Sequence, residues 1–203
     1  LFGTVLHAFY KLDCIIGQDA VVMGQGPVGQ LFNGALRNLG ARRIIAVDPQ
    51  AHRLAIATQM GATHTLPQGD GLEAQVRSIC DGELPQLVVE AVGKEETFQL
   101  AASLLRRNGT LLYFGVPNKE EGRGVMSIDF LRMFVNETRI ITTVGPNPQV
   151  DYRPALQWIM EERIDVRPIL THTLPFAEIQ QAFTMAFEEP EAHGAVKEVL
   201  TFD

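Results

Sequence analysis

The apolar residues of this chain fall into short unbroken runs set between longer stretches of helical period. Ala20–Met23 (AVVM), Arg43–Val47 (RIIAV), Leu87–Ala91 (LVVEA) and Thr110–Phe114 (TLLYF) are runs of the first kind. They do not alternate apolar with polar, as a strand with one wet face would, and so predict strands covered on both faces. Between the first two, Val28, Leu31, Phe32, Ala35 and Leu36 recur at helical spacing over residues 27–39, and Leu39-Gly40 supplies a stop. The same reading places helices over residues 50–59, 71–81 and 94–106, and a short strand at His64–Leu66. An opening helix carries Val5, Ala8, Phe9 and Leu12 on one face and ends by Gly17-Gln18-Asp19. Strand and helix keep alternating, which predicts an α/β fold with a doubly wound parallel sheet and helices on both faces.

Beyond Asn118 the pattern changes. Lys119-Glu120-Glu121-Gly122-Arg123-Gly124 reads as a solvated charged turn, followed by a helix over 127–136 and a strand over Arg139–Val144. Gly145-Pro146-Asn147-Pro148 reads as a boundary. Past it lie helices over 151–162 and 176–188 and short strands near 168–174 and 195–201, too little for a separate core. The expected organisation is one domain over 1–144 and a segment over 145–203 that completes a second domain. Because the chain opens at Leu1 inside an amphipathic helix, it reads as a piece of a longer protein.

Composition narrows the classes of function. Of 203 residues 46% are apolar and 20% charged, ordinary values for a globular domain. The net charge of −7, with no basic run, argues against a nucleic-acid partner. No apolar stretch approaches the ~20 residues of a membrane-spanning helix, and no basic segment followed by an apolar one resembles a signal peptide. Cys14 and Cys80 are the only cysteines, too few for a disulfide framework and far from C-x-x-C spacing. These features predict a cytoplasmic protein that meets no membrane.

VVMGQGPVGQL (Val21–Leu31) is the most informative stretch. Its glycines follow a predicted strand, open a predicted helix and belong to a βαβ unit. The spacing gives each glycine a separate role. Gly24 permits a tight turn, Gly26 lets the backbone approach a pyrophosphate closely, and Gly29 allows close helix–strand packing. Amide groups and the helix dipole at such an N-terminus favour phosphates. Asp48 comes 19 residues after Gly29, at the end of RIIAV, where its carboxylate can accept protons from ribose hydroxyls. The pattern therefore predicts a Rossmann-type dinucleotide site. The alternative is a structural glycine turn, with Asp48 capping the helix after Pro49. A P-loop is excluded, because Gln30 stands where it needs lysine. None of Tyr10, Tyr113 and Tyr152 has lysine four positions on, against a Tyr-x-x-x-Lys reductase. A methyltransferase shares the glycines alone.

In the order and spacing of VVMGQGPVGQL, IIAVDPQAHRLAIATQMGATHTL, VVEAVG, GTLLYFGVP, THTLPFAEIQQAF and VKEVLTF, the whole chain resembles the medium-chain dehydrogenase/reductases. It is most similar to their zinc-containing alcohol dehydrogenase branch. The resemblance implies NAD as cofactor, a small alcohol or carbonyl substrate, and a homodimer or higher homo-oligomer joined through the cofactor domains. Arg139–Thr143, or the neighbouring segment after Gly124, would then be the open edge. It implies that Gly24, Gly26, Pro27, Val28 and Gly29 form the pyrophosphate turn, with Val28 touching the nicotinamide. It gives Asp48 and Arg53 to the adenosine ribose, and Val92 and Gly93 to the adenine side of the cleft. Phe114, Gly115 and Val116 would meet the carboxamide through their backbone, Val144 the nicotinamide ribose and Lys197 the pyrophosphate. Lys197 stands where an arginine is expected in the animal enzymes, which turns a bidentate contact into a point charge. Gly3-Thr4 reverses the Thr-Gly order common in the family.

The resemblance also implies a zinc whose ligands lie outside this chain. Cys14 and Cys80 do not replace them, and His7, His52, His64, His172 and His193 form no pair with metal-ligand spacing. No catalytic residue is expected here, and this part alone is expected to be inactive. Two other readings stay open: a zinc-independent quinone or enoyl reductase, which Asp48 disfavours because such enzymes prefer the phosphorylated cofactor, and a non-catalytic dinucleotide-binding module.

Overall fold

The structure, a computed structural model, describes residues 1–117 and 124–202, so Lys119 to Arg123 of the charged turn lie outside the described residues. Six strands build the main sheet: β1 (Asp19–Met23), β2 (Arg43–Asp48), β3 (His64–Pro67), β4 (Leu87–Glu90), β5 (Thr110–Tyr113) and β6 (Arg139–Thr142). They run parallel in the order β3-β2-β1-β4-β5-β6, the doubly wound Rossmann order.

The unbroken apolar runs are explained by two buried faces. Ala20 and Val22 of β1 point into one cluster with Ile44, Ala46, Leu87, Val89 and Leu112. Val21 and Met23 point into the other with Ile45, Val47, Val88, Leu111 and Tyr113. Helices α1 (Phe2–Phe9), α2 (Pro27–Asn38) and α3 (Ala51–Gln59) contribute Val5, Phe32, Leu36 and Ala57 to the first face. Helices α4 (Leu72–Ile79) and α5 (Glu95–Ser103) contribute Leu72, Val76, Phe98 and Ala101 to the second. Each fully buried Val, Leu or Phe contributes roughly 1.5–3 kcal/mol, so a one-residue slip of β1 would be opposed on both faces at once.

After α6 (Phe130–Val135) and β6, helix α7 (Pro148–Met160) packs against α1. Phe2 meets Trp158 with ring centroids 5.7 Å apart, and His7 Nδ1 lies 2.9 Å from a buried Asp151 carboxylate. A Cβ on Gly3 would come within 2.5 Å of the Tyr152 ring, which explains the glycine of Gly3-Thr4 by packing. Ala155, Ile164, Ile169 and Val196 join the first cluster. A separate two-stranded parallel sheet pairs β7 (Leu170–Pro175) with β8 (Lys197–Thr201) over a small cluster of Leu174, Ala182 and Met185.

Several boundaries differ from the sequence pattern. The single helix expected over 176–188 is a 3-10 turn (Phe176–Glu178), then α8 (Ile179–Phe183), then a π turn (Thr184–Glu188), with α9 (Pro190–His193) beyond. Glu189 precedes Pro190, which disfavours helical φ/ψ, and it sits at φ −130° while its N–H donates to Thr184 O at 2.9 Å. The strand expected from 168 starts at Leu170, because Pro168 belongs to a 3-10 turn over Arg167–Ile169. Helix α1 ends at Phe9, leaving Leu12 beyond it in a turn, partly buried against the first cluster. Helix α6 spans only Phe130–Val135, capped by the Asp129 carboxylate, which accepts from Arg132 N at 3.0 Å. No described helix is long and apolar enough to cross a membrane.

Candidate functional site

Parallel pairing aligns the carboxyl ends of the strands: Met23 pairs with Val47 and Glu90, Glu90 with Tyr113, and Tyr113 with Thr142. The turns after β1, β2, β4, β5 and β6 therefore share one edge of the sheet. The strand order reverses direction at β1 and β4, so the crevice for a ligand opens between the turns that follow them.

The three glycines of the first turn are glycines for different reasons. Gly24 has φ +86°, and a Cβ there would meet Val92 Cγ2 at 2.6 Å. A Cβ on Gly29 would lie 1.8 Å from Gly24 O, so the first turn of α2 packs directly on the strand exit. Gly26 differs from both. Its φ of −67° suits any residue, and nothing lies within 4 Å of where its Cβ would stand. Gly26 caps α2, and Pro27 follows at the first helical position, where a missing N–H costs nothing. Among the described residues, no acceptor meets the amides of Gly26, Val28 or Gly29. Val28 packs partly against the first cluster.

Asp48 closes one side of the turn. It is 2% exposed, and its carboxylate accepts from Gln25 N at 2.7 Å and from Gln50 N at 2.8 Å. The second bond closes a turn two residues on and is not a cap on α3, whose N-cap is Gln50 with no side-chain cap; each carboxylate oxygen retains lone-pair capacity beyond these bonds. Arg53 Nη1 stands 3.8 Å from Asp48 Oδ2, and its buried Nε has no partner among the described residues.

The other side of the crevice is built around Glu90. This fully buried carboxylate accepts from Val92 N at 3.0 Å and Gly93 N at 3.0 Å, with Thr97 Oγ1 at 2.7 Å. Its backbone carbonyl accepts from Phe114 N at 2.8 Å and Gly115 N at 3.0 Å. Gly93, at φ +93°, leaves no space for a side chain: a Cβ would lie 2.2 Å from Val116 O. A Cβ on Gly115 would lie 2.1 Å from Gly93 N. Phe114 packs edge-on against Phe32 at 5.1 Å. Burial, and then the Glu90 charge, raise the pKa of the neighbouring Tyr113 hydroxyl.

Gly24, Gly26, Gly29, Asp48, Arg53, Val92, Gly93, Phe114, Gly115 and Val116 are thus gathered along one edge. Val144 follows β6 on the same edge but is 91% exposed. Lys197 opens β8 of the second sheet, with its side chain exposed and bonded to no described residue of the turn. The glycine motif does not point to Glu90, nor to the buried Gln25, Gln30 and Asn33 beneath the turn. The signal for Glu90 is a polar residue inside an apolar run; Gln25 lies in the turn and Gln30 and Asn33 lie off the apolar stripe of α2, so the sequence carries no such signal for them.

Among the described residues, no group of three His, Cys, Asp or Glu side chains is placed to hold a metal. Cys14 is exposed and Cys80 buried, and burial pushes the Cys80 thiol up to about 11. The described residues therefore do not fit a zinc site.

Residues 27–161 match the profile of a family described as zinc-binding dehydrogenase. An L-threonine 3-dehydrogenase of Shewanella pealeana is 25% identical over 183 residues, covering 90% of this chain and 52% of that protein. A protein of Emericella nidulans named "Probable D-xylulose reductase A" is 30% identical, covering 89% of this chain and 50% of its own length. Among solved structures, the alcohol dehydrogenase TADH of Thermus sp. ATN1 superposes with a TM-score of 0.85 at 27% identity, covering 100% of this chain and 56% of that one. The chain spans about half the length of the curated relatives it matches. With a match over residues 27–161, most of its length, the chain belongs to the zinc-binding dehydrogenase family.

Proposed function

We infer that this chain is the NAD-binding part of a zinc-dependent alcohol or polyol dehydrogenase, with residues 1–144 as the cofactor domain and 145–203 returning to a substrate domain. The observation that carries the reading is Gly26. Neither its φ nor its packing requires glycine, yet it stands in a group of three amides without acceptors among the described residues, at a helix N-terminus. A dinucleotide pyrophosphate would occupy that space and accept from those amides. Bound there, the nicotinamide supplies the carbon that takes hydride from the alcohol.

In this reading Asp48 and Arg53 hold the adenosine ribose, Val92 and Gly93 line the adenine side, and the backbone of Phe114, Gly115 and Val116 faces the carboxamide. Val28 and Val144 bound the nicotinamide end, and Lys197 lends a point charge to the pyrophosphate. The zinc belongs to residues outside this chain. The exposed, stacked Phe176–Phe202 and Phe183–Phe187 pairs support an apolar covering of the second sheet.

Asp48 supports NAD over NADP. A 2′-phosphate would bring a dianion against a 2%-exposed carboxylate, and Arg53 is already drawn to that carboxylate. NADPH is expected to bind roughly 10- to 100-fold more weakly than NADH, about 1.4–2.8 kcal/mol. Fluorescence titration with both cofactors measures this. Equal affinity would remove the ribose assignment, and no NADH binding by a folded sample would remove the cofactor reading. The same sample should reduce no NAD with a panel of alcohols, and robust turnover would place the catalytic centre in this chain.

The proposed partner is a second copy of the chain. Strand β6 ends the sheet, and beside it α6 exposes Phe130, Leu131, Phe134 and Val135, each at least 60% accessible. An open edge flanked by apolar side chains suits a two-fold contact. Light scattering at micromolar concentration should report a dimer, and Phe134→Asp with Leu131→Asp should give a monomer of unchanged fold. A monomeric parent would count against the contact.

A further inference from the structure

We propose that Gln30 is a positioning residue that locks the glycine turn to the ribose side of the cleft. The inference rests on the dinucleotide reading and extends it to a residue that touches no cofactor atom. Gln30 is fully buried on α2, directly after Gly29. Its Nε2 donates in two directions, to Gln25 O at 3.1 Å and to Arg53 O at 2.8 Å. The first acceptor lies in the glycine turn, and the second in α3, which follows Asp48 and the Gln50 amide that Asp48 accepts from. One amide group therefore spans both halves of the site.

The rest of the network holds Gln25 in place. Gln25 N donates to Asp48 Oδ2 at 2.7 Å, Gln25 Nε2 to Val22 O at 2.9 Å, and Asn33 Nδ2 to Gln25 Oε1 at 2.7 Å. With its N–H committed to Asp48 and its carbonyl to Gln30, the peptide planes of Gln25 are restrained on both sides, and the Gly26 amide in the second plane meets no acceptor among the described residues. Helix α2 is buried on every side of its first turns, and a buried polar side chain there is a costly choice for stability alone, since a methionine would fill the same volume. Gln30 Oε1 and Asn33 Oδ1 have no partner among the described residues, so the network is incomplete as a stability device. Its donors tie the turn to Asp48 and Arg53 and hold the Gln25 side chain between Val22 and Asn33.

A double-mutant cycle on NADH affinity tests this, with Gln30→Met, Asp48→Asn and the pair. Gln30→Met should weaken NADH about tenfold in the parent and about twofold or less in the Asp48→Asn background, where the charged acceptor for the ribose is already gone. A purely structural glutamine would lower the melting temperature and weaken NADH by the same factor in both backgrounds. Should Gln30→Met fail to fold, Gln30→Ala, which leaves room for a water between the two carbonyls, is run through the same cycle. Equal factors in the two backgrounds, or parent-like affinity in Gln30→Met, overturn the assignment. Absence of NADH binding in the parent would instead strike the cofactor reading on which it rests.

Discussion

Gly26→Val is expected to keep the fold and lose NADH, whereas Gly29→Ala loses stability first. The two substitutions sit three residues apart in one motif and separate ligand binding from helix–strand packing. At Gly26 the backbone is in an ordinary extended conformation and, its chain neighbours aside, no atom of the described residues stands within 4 Å of a Cβ, so valine enters without strain. The melting temperature should stay within about 2 °C of the parent, the scale of a surface change below ~0.5 kcal/mol. The valine methyls would fill the space in front of the Gly26, Val28 and Gly29 amides. Losing two or three charge-assisted hydrogen bonds to the pyrophosphate should weaken NADH by about 100-fold or more. At Gly29 a Cβ would lie 1.8 Å from Gly24 O, so α2 must lift from the strand exit. Overpacking of about 3 kcal/mol corresponds to a fall of roughly 6–12 °C in a chain of this length. Calorimetry and NADH titration on both variants read the two effects independently. Parent-like NADH affinity in Gly26→Val would falsify the assignment of that space to a pyrophosphate.

The contrast between those glycines shows how far the sequence could be read. Strands β1, β2, β4 and β5 were legible because burial on both faces leaves an unbroken apolar run, and α2 because Val28, Leu31, Phe32, Ala35 and Leu36 keep helical period. The break in the helix after Phe176 was not, since apolar period continues through Phe183 and Phe187 while the backbone changes hydrogen-bond pattern ahead of Pro190. In the cleft, the motif named the glycines and Asp48 that we propose face the cofactor, but not the residues packed behind them. Glu90 looks like the polar end of an apolar run, and Gln30 like one polar residue on an amphipathic helix. What makes either matter is a partner distant in sequence: Thr97, Phe114 and Gly115 for Glu90, and Arg53, 23 residues on, for Gln30.

Glu90→Ala is expected to be the most destabilising single change in the cleft. The carboxylate has no cation partner among the described residues. Its charge is held instead by backbone donors: Val92 N at 3.0 Å, and Gly93 N at 3.0 and 3.1 Å from its two oxygens. The Thr97 hydroxyl adds a contact of 2.7 Å, shorter than its alternative to Lys94 O at 2.9 Å. Removing the side chain leaves the buried Gly93 amide without an acceptor and opens a cavity beneath Gly115, whose own Cβ position lies 2.6 Å from Glu90 Oε2. Relief of the buried charge offsets part of the loss, so the net cost is about 3–5 kcal/mol, or roughly 6–20 °C in melting temperature. Glu90→Gln should fall between, because its amide oxygen still accepts while its NH₂ group opposes the Gly93 N–H that both carboxylate oxygens now share. The turns bearing Val92, Gly93 and Gly115 then lose their common anchor, and NADH affinity should drop in the same order: parent, Gln, Ala. A Glu90→Ala variant that melts within about 2 °C of the parent would show that backbone pairing of β4 with β5 holds these turns without the carboxylate.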